Sequence, residues 1–165
     1  MKAQARTYGD KKALTANAFK RTNYHFKGWS TTKGGSVKYA DKQVANLSSK
    51  NGATVTLYAV WERSTYTVAF DANGGTGTTK ALSINVGAKK ALTANAFKRT
   101  GYAFLGWAKK KTATKADYKD KASVKNLKAS GTVALYAVWK ANAYTVKFDA
   151  NGGTGKMANL AMTYG

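Results

Sequence analysis

Apolar and polar residues alternate in several short segments, and this period of two predicts β-strands. In one segment Tyr66, Val68 and Phe70 alternate with small or polar residues. Asp71–Gly75 follows and predicts a tight turn, because Asn and Gly accept the positive backbone angles that such turns need. Alternation resumes in Lys80–Val86, so the two segments together predict a β-hairpin.

Two further kinds of strand are expected. Asn23–Trp29 and Gly101–Trp107 carry aromatic residues around a glycine, which predicts a strand with a bulge or a close backbone approach at that glycine. Thr54–Trp61 and Thr132–Trp139 are apolar on both faces near their ends, so we expect them in the centre of a sheet.

One segment in each half of the chain predicts a short helix. Asp41 is a candidate N-cap, and Val44 and Leu47 follow at a spacing of three residues. The same pattern recurs at Asp120, Val124 and Leu127. The predicted fold class is therefore α+β and strand-dominated, with one short helix in each unit.

The chain contains a tandem repeat with a period of 78 residues. The offset relates three pairs of segments: Tyr66–Gly77 and Tyr144–Gly155, Leu57–Trp61 and Leu135–Trp139, and Lys11–Thr22 and Lys89–Thr100. Met1 aligns with Thr79 and Met157, so we expect the chain to be a window from a longer array.

Charge adds a candidate binding property. The chain carries 28 Lys and Arg against 7 Asp and Glu, a net charge of +21, and such a field attracts polyanions. Lysine spread along both units also protects strand edges and prevents aggregation, without any ligand. One local run gives a candidate polyanion contact: Lys109, Lys110, Lys111 and Lys115. Its candidate partners are anionic glycans, cell-wall polymers such as teichoic acid, and, nonspecifically, nucleic acid.

The residues that carry catalysis or bind metals are scarce. There is no cysteine, and the single histidine, His25, is replaced by Ala103 in the second repeat. Asp71 is one carboxylate where calcium needs several, so we expect a turn and no metal or cofactor site. The 20 aromatic residues recur at fixed repeat positions, which favours packing over base stacking. We therefore expect no enzyme, while an Asp-assisted Lys–Asn cross-link stays open. No apolar run of about 18 residues is present, so we expect no membrane insertion.

These motifs, taken in order, resemble the Listeria–Bacteroides repeat, also known as the internalin B-repeat family. The resemblance rests on a Tyr-Thr-Val-x-Phe-Asp-Ala-Asn-Gly-Gly strand and turn, a Thr-Tyr-Gly strand, an Arg-Thr-Gly-Tyr-x-Phe-x-Gly-Trp block and a closing Leu-Tyr-Ala-Val-Trp. It implies a compact β-grasp-like unit strung in tandem on bacterial surface proteins. It also implies a structural or adhesive role, extracellular or at the cell surface, without catalytic residues.

The family's usual starting point divides the chain unevenly. Residues 66–139 form one complete repeat, residues 1–61 lack their first strand, and residues 144–165 are a first hairpin without a body. Residues 62–65 and 140–143 are the predicted linkers. Residues 1–61 lack the kind of hairpin strand that residues 144–165 supply. The sequence therefore suggests that the hairpin of one chain completes residues 1–61 of an identical chain. Repeated head to tail, this strand addition would build a fibre.

Overall fold

The computed structural model describes residues 1–165 and contains ten β-strands and no helix. The chain forms two compact units. Unit 1 comprises Met1–Thr65 and Asn85–Gly87, and unit 2 comprises Tyr66–Ile84 and Ala88–Gly165.

A four-stranded sheet organises unit 2, with its strands in the order β4–β3–β8–β6. The strands are β3 (Thr65–Asp71), β4 (Leu82–Asn85), β6 (Tyr102–Ala108) and β8 (Gly131–Ala141). Strand β3 runs parallel to β8, and β6 runs antiparallel to it. The 11-residue β8 lies between these two strands, as its apolar sequence predicts. A small antiparallel ribbon of β5 (Lys89–Ala91) and β7 (Ser123–Lys125) accompanies the sheet.

The core of unit 2 surrounds the indole of Trp107, which is fully buried. The rings of Phe70 and Phe104 lie 4.6 and 4.9 Å from it, centroid to centroid. The other large side chains with at most 2% exposure are Tyr66, Val68, Ile84, Leu135 and Val138. Three of them, Tyr66, Val68 and Ile84, come from the β3–β4 hairpin, so the hairpin supplies a large part of this core.

The glycine of each aromatic strand lies at a β-bulge, which confirms the expected irregularity. In β6 the pairing register shifts between Phe104 and Gly106. Gly106 has a φ of 142°, and a Cβ there would overlap the carbonyl oxygen of Tyr118. The bulge turns the following residue, Trp107, into the core.

Unit 1 repeats part of this arrangement. Its sheet has two strands, β1 (Tyr24–Ser30) and β2 (Tyr58–Arg63), with the same register shift at Gly28. Strand β2 has 6 residues where β8 has 11. Residues 54–57 correspond to 132–135 of β8 but form no strand, because no parallel partner lies beside them.

The end of the chain forms a short hairpin, β9 (Ala143–Val146) and β10 (Leu160–Thr163). Its base is joined to the rest of unit 2, because the Asn142 N–H donates to the Gly101 carbonyl and the Tyr164 N–H donates to the Asn142 carbonyl. The Tyr164 ring also packs edge-on against Tyr102, with centroids 5.7 Å apart. The remainder of the hairpin is exposed, apart from the half-buried Val146.

The α+β prediction, with one short helix in each unit of a β-grasp-like fold, is wrong. Asp41 and Asp120 do accept backbone hydrogen bonds, but the donors are Asn17 and Asn95 in distant loops and, for Asp120, also the adjacent Lys121. The residues after them, Lys42 and Lys121, have φ values of 58° and 57°, which a right-handed helix excludes. Valines spaced for a helix instead enter β structure: Val124 lies in β7 and Val44 forms an isolated bridge with Ala13.

Candidate functional site: a hairpin-binding groove

The turn at the tip of the β3–β4 hairpin holds its own shape. The Asp71 carboxylate accepts the Asn73 backbone N–H at 2.7 Å, and the Gly75 N–H donates to the Ala72 carbonyl at 3.0 Å. Asn73 has a φ of 46°, a left-handed conformation that asparagine tolerates better than most residues. The sequence Asp-Ala-Asn-Gly-Gly is therefore a preformed turn.

Side-chain hydrogen bonds fasten this turn to the rest of unit 2. The Asn73 amide nitrogen donates to the carbonyls of Lys111 and Ala137, both at 2.9 Å. In return, the indole N–H of Trp139 donates to the Ala72 carbonyl at 2.8 Å. We call these three hydrogen bonds the turn latch. The latch holds the tip of the hairpin against β8 and the loop after β6.

Glycine is required at one position of the docked turn. A Cβ on Gly75 would lie 2.8 Å from both the Lys98 carbonyl oxygen and the Trp139 ring, closer than real contacts allow. The next residue, Thr76, exchanges two backbone hydrogen bonds with Lys98 at 2.7 and 2.9 Å. The turn therefore fits against this surface without spare room.

Unit 1 has a groove at the place where the hairpin docks in unit 2. A groove of about 400 Å³ opens beside Trp29 and is lined by apolar side chains and by residues 1–4 and 6. The apolar lining residues include Leu14, Phe19, Val55 and Leu57. Val55 is 36% exposed, and Leu57 is half-buried where its counterpart Leu135 is fully buried. A second cavity of about 550 Å³ is lined by residues 4–8, 45–53 and 55.

The groups that form the latch in unit 2 have counterparts in unit 1. At the 78-residue offset, Lys33, Ala59 and Trp61 correspond to Lys111, Ala137 and Trp139. The local geometry matches too, because Trp61 packs on Phe26 at 5.7 Å and Trp139 packs on Phe104 at 5.5 Å. Neither carbonyl receives an asparagine side chain in unit 1, and the Trp61 indole N–H has no hydrogen bond there.

In the terminal hairpin, the groups that correspond to those of the docked β3–β4 hairpin make no equivalent contacts. Its turn has the docked shape, because the Asn151 N–H donates to Asp149 at 2.8 Å and Asn151 has a φ of 44°. The Asn151 side-chain amide makes no hydrogen bond. The large apolar side chains beside it are 41–50% exposed: Tyr144, Phe148, Leu160 and Met162. Their repeat counterparts include Tyr66 and Ile84, which are 1% exposed.

Comparison with known proteins places these repeats in a family. The profile of the Listeria–Bacteroides repeat domain matches residues 2–60 and again residues 66–138. The chain belongs to the Listeria–Bacteroides repeat family. This result confirms the family that the motifs resemble.

Two larger bacterial proteins contain a region similar to this member of the repeat family. A "Putative Gly-rich membrane protein" of Evansella cellulosilytica is 31% identical over 135 residues, covering 78% of this chain and 14% of the relative. A "Putative membrane protein" of the same organism is 31% identical over 139 residues, covering 81% and 18%. The chain thus spans less than a fifth of these relatives. No solved structure matches it.

The lysines singled out from the sequence lie together in one loop of unit 2. Lys109, Lys110, Lys111 and Lys115 are all exposed in the segment after β6. The Lys111 carbonyl belongs to the turn latch, while the ammonium of Lys109 lies 5.9 Å from the ring centroid of Tyr118. The loop therefore combines a structural backbone role with a group of charged side chains that point to solvent.

One cluster of charged groups was not identified from the sequence. The Glu62 carboxylate lies 2.9 Å from the Lys27 ammonium and 3.0 Å from the His25 ring nitrogen, because β1 and β2 place these residues on neighbouring strands. The hydrogen bond and charge of Lys27, with a smaller effect of His25, lower the pKa of Glu62. The exposed cluster is confined to unit 1, since the second repeat has Ala103, Leu105 and Lys140 at these positions.

The chain contains no group of three or more residues of the metal-binding types placed to hold an ion. Without a helix, it also has no helical segment that could cross a membrane.

The turn latch predicts unequal effects of the same substitution in the two hairpins. Asn73→Ala removes two hydrogen bonds and leaves two carbonyls without that donor, so the free energy of unfolding of unit 2 should fall by about 1–3 kcal/mol. Asn151→Ala removes no side-chain hydrogen bond and shares only the cost of placing alanine in the left-handed conformation, so it should lower the free energy of unfolding less than Asn73→Ala. Denaturant titration of the full chain, followed by tryptophan fluorescence, measures both. Equal effects of the two substitutions would contradict a latch confined to the docked hairpin.

Proposed function

We propose that the chain is a non-enzymatic structural and adhesive repeat region of a bacterial cell-surface or extracellular protein. The observation that carries this proposal is the repeat itself, in which a hairpin docks into a groove and completes the core of unit 2. The family match over both repeats supports it. The relatives' size and their naming as membrane proteins favour a location at the cell surface.

Assembly would follow from the same contact. The terminal hairpin of one chain would add its first strand beside residues 54–58 of a second copy, as β3 adds to β8 in unit 2. Each chain then offers one groove and one hairpin, which are different surfaces. Such a heterologous contact extends into a head-to-tail fibre when it does not close into a ring.

In the structure no parallel strand lies beside residues 54–58 of unit 1, at the place where β3 lies beside β8 in unit 2. Met1–Gly9 corresponds to Met157–Gly165 in the repeat, and residues 1–4 and 6 already line the groove. The second strand of an incoming terminal hairpin would therefore compete with Met1–Gly9 for the same place in the groove. The segment that begins at Tyr144 has no such competitor, because unit 1 contains no copy of it.

The energy of this contact limits association between free chains, because the gain from apolar burial is at most similar to the cost of bringing two molecules together. Burying one large apolar side chain contributes about 1.5–3 kcal/mol, so four half-exposed side chains contribute roughly 3–6 kcal/mol. Association of two free molecules costs about 4–15 kcal/mol in lost freedom. Linked repeats avoid most of that cost, because the tether raises the effective concentration. The same contact is therefore strong within an array and weak between separate chains.

A polyanion-binding module is the second candidate function, and a specific observation favours it. Four exposed lysines share one loop in a chain with a net charge of +21: Lys109, Lys110, Lys111 and Lys115. Such a loop would bind the phosphates or sulfates of a polymer by releasing counterions. The candidate ligands are anionic glycans, teichoic acid and nucleic acid bound without sequence preference.

Sedimentation of the full chain tests the assembly. We expect the mean mass to rise with protein concentration, and to rise further at about 0.5 M salt because screening weakens repulsion between basic chains. Phe148→Asp should suppress the association, since it places a charge in the apolar strand. Leu105→Asp, at a 44% exposed position of β6, serves as the matched control. A monomer at every concentration would contradict head-to-tail assembly.

The polyanion candidate predicts the opposite salt dependence. Binding to heparin, DNA and teichoic acid should weaken steeply as salt rises. Changing Lys109, Lys110, Lys111 and Lys115 together to Gln should weaken binding more than changing Lys11, Lys12, Lys20 and Lys50, which removes the same charge from exposed sites elsewhere. Equal losses for the two variants would show a diffuse charge effect and rule out a localised site.

A further inference from the structure

The hairpins of the chain differ in what their turns contact, although the turns have the same shape. Asp71–Gly75 is fastened by the turn latch, whereas Asp149–Gly153 makes only its internal hydrogen bonds. The second turn contains every group of the first, since Asp, Ala, Asn, Gly and Gly recur in order. The side-chain amide of Asn151, at the tip of the terminal hairpin, is therefore a hydrogen-bond donor held in a turn of the docked shape without an acceptor.

We propose that the Asp149–Gly153 turn is the recognition element for a second copy of the chain, in which Asn151 donates to the carbonyls of Ala59 and Lys33. The Trp61 indole of that copy would donate to the Ala150 carbonyl. This inference rests on the proposed function and adds to it the residues that determine pairing. The geometry is that of Asn73 with Ala137 and Lys111, and of Trp139 with Ala72, in unit 2.

The receiving carbonyls lie in the same local structures in both units. Ala59 pairs with Trp29 in the β1–β2 sheet, as Ala137 pairs with Trp107 in the β6–β8 sheet. The loop that contains Lys33 is closed by a hydrogen bond from Gly35 to Thr32 at 3.1 Å. The corresponding loop around Lys111 is closed by a bond from Ala113 to Lys110 at 3.2 Å. Both acceptors are therefore built by the same local structure as their counterparts.

The latch would fix the register of the added strand, while the apolar side chains supply affinity. A slip by one residue along the strand turns every side chain to the opposite face. Such a slip also moves the Asn151 amide away from the two carbonyls, so the wrong register loses both hydrogen bonds. The latch therefore selects a hairpin that carries Asn at this position of the turn over other exposed strands.

Gly153 supplies a second, steric condition. In the free hairpin, a Cβ at this position meets only the Ala150 carbonyl oxygen at 3.1 Å, which is tight but tolerable. At the docked counterpart, Gly75, a Cβ would overlap a carbonyl and a tryptophan ring. Gly153→Ala should therefore spare the monomer and prevent docking, where the corresponding groups are the Lys20 carbonyl and Trp61.

The test measures the dissociation constant of the full chain by sedimentation, at a salt concentration where the unmodified chain associates. Asn151→Ala should raise the constant about tenfold or more, because the loss of two hydrogen bonds is of that size. Gly153→Ala should raise it further. Asn159→Ala is the matched control, since its counterpart Ala81 is exposed in the docked hairpin and the constant should not change.

A second readout reports on the latch directly. The indole N–H resonance of Trp61 should shift as the unmodified chain associates. With Asn151→Ala and Gly153→Ala the shift should appear only at the higher concentrations that their raised dissociation constants require. A general loss of folding would also lower the unfolding free energy of the monomer by much more than the small backbone cost that we expect for Asn151→Ala.

The outcomes separate the two levels of the proposal. If the unmodified chain associates but Asn151→Ala matches it in affinity, or the Trp61 resonance does not move, the latch between chains is wrong and hairpin addition stands. If the unmodified chain remains a monomer, hairpin addition between chains is wrong, and the latch between chains is wrong with it.

Discussion

The parallel pairing of β3 with β8 is the contact on which each repeat depends. It runs from Tyr66 opposite Gly131 to Asp71 opposite Tyr136, and it places Phe70 against the buried Trp107. Where the pairing is present, the closing strand extends to 11 residues and Leu135 is fully buried. Where it is missing, the equivalent strand has 6 residues. The core of a repeat is therefore completed by a segment that precedes its body in sequence.

The sequence predicted the repeat, the strands and the glycine bulges well, because these depend on local patterns and on a constant offset. It predicted the helices wrongly. Apolar residues three apart fit a helix, but the chain at Lys42 and Lys121 is left-handed. The predicted caps Asp41 and Asp120 accept hydrogen bonds from Asn17 and Asn95, in loops far along the chain. Here hydrogen bonds between distant segments prevail over a weak local preference for helix. A pattern of residue types along the sequence does not reveal such long-range bonds.

Aligning the repeats predicts a missing first strand in residues 1–61 and a first hairpin without a body in residues 144–165, and both stay predictions. The alignment does not predict the turn latch. Asn73 pairs with carbonyls 38 and 64 residues away, and the sequence contains no sign of which backbone oxygens these are. Two repeated features point to the latch in the sequence: the turn Asp-Ala-Asn-Gly-Gly and the closing Trp. Taken singly, they predict only a turn and a packed aromatic residue.

An engineered cysteine pair tests the central claim most directly, because the chain has no cysteine of its own. Val68 pairs with Val133 in unit 2, so Val146 of one chain should lie opposite Val55 of the next. Oxidation of the Val55→Cys, Val146→Cys chain should give a ladder of disulfide-linked multimers. The register-shifted pair Val55→Cys, Thr145→Cys should give far fewer. Monomers alone, or equal ladders from both pairs, would contradict docking of the hairpin in this register.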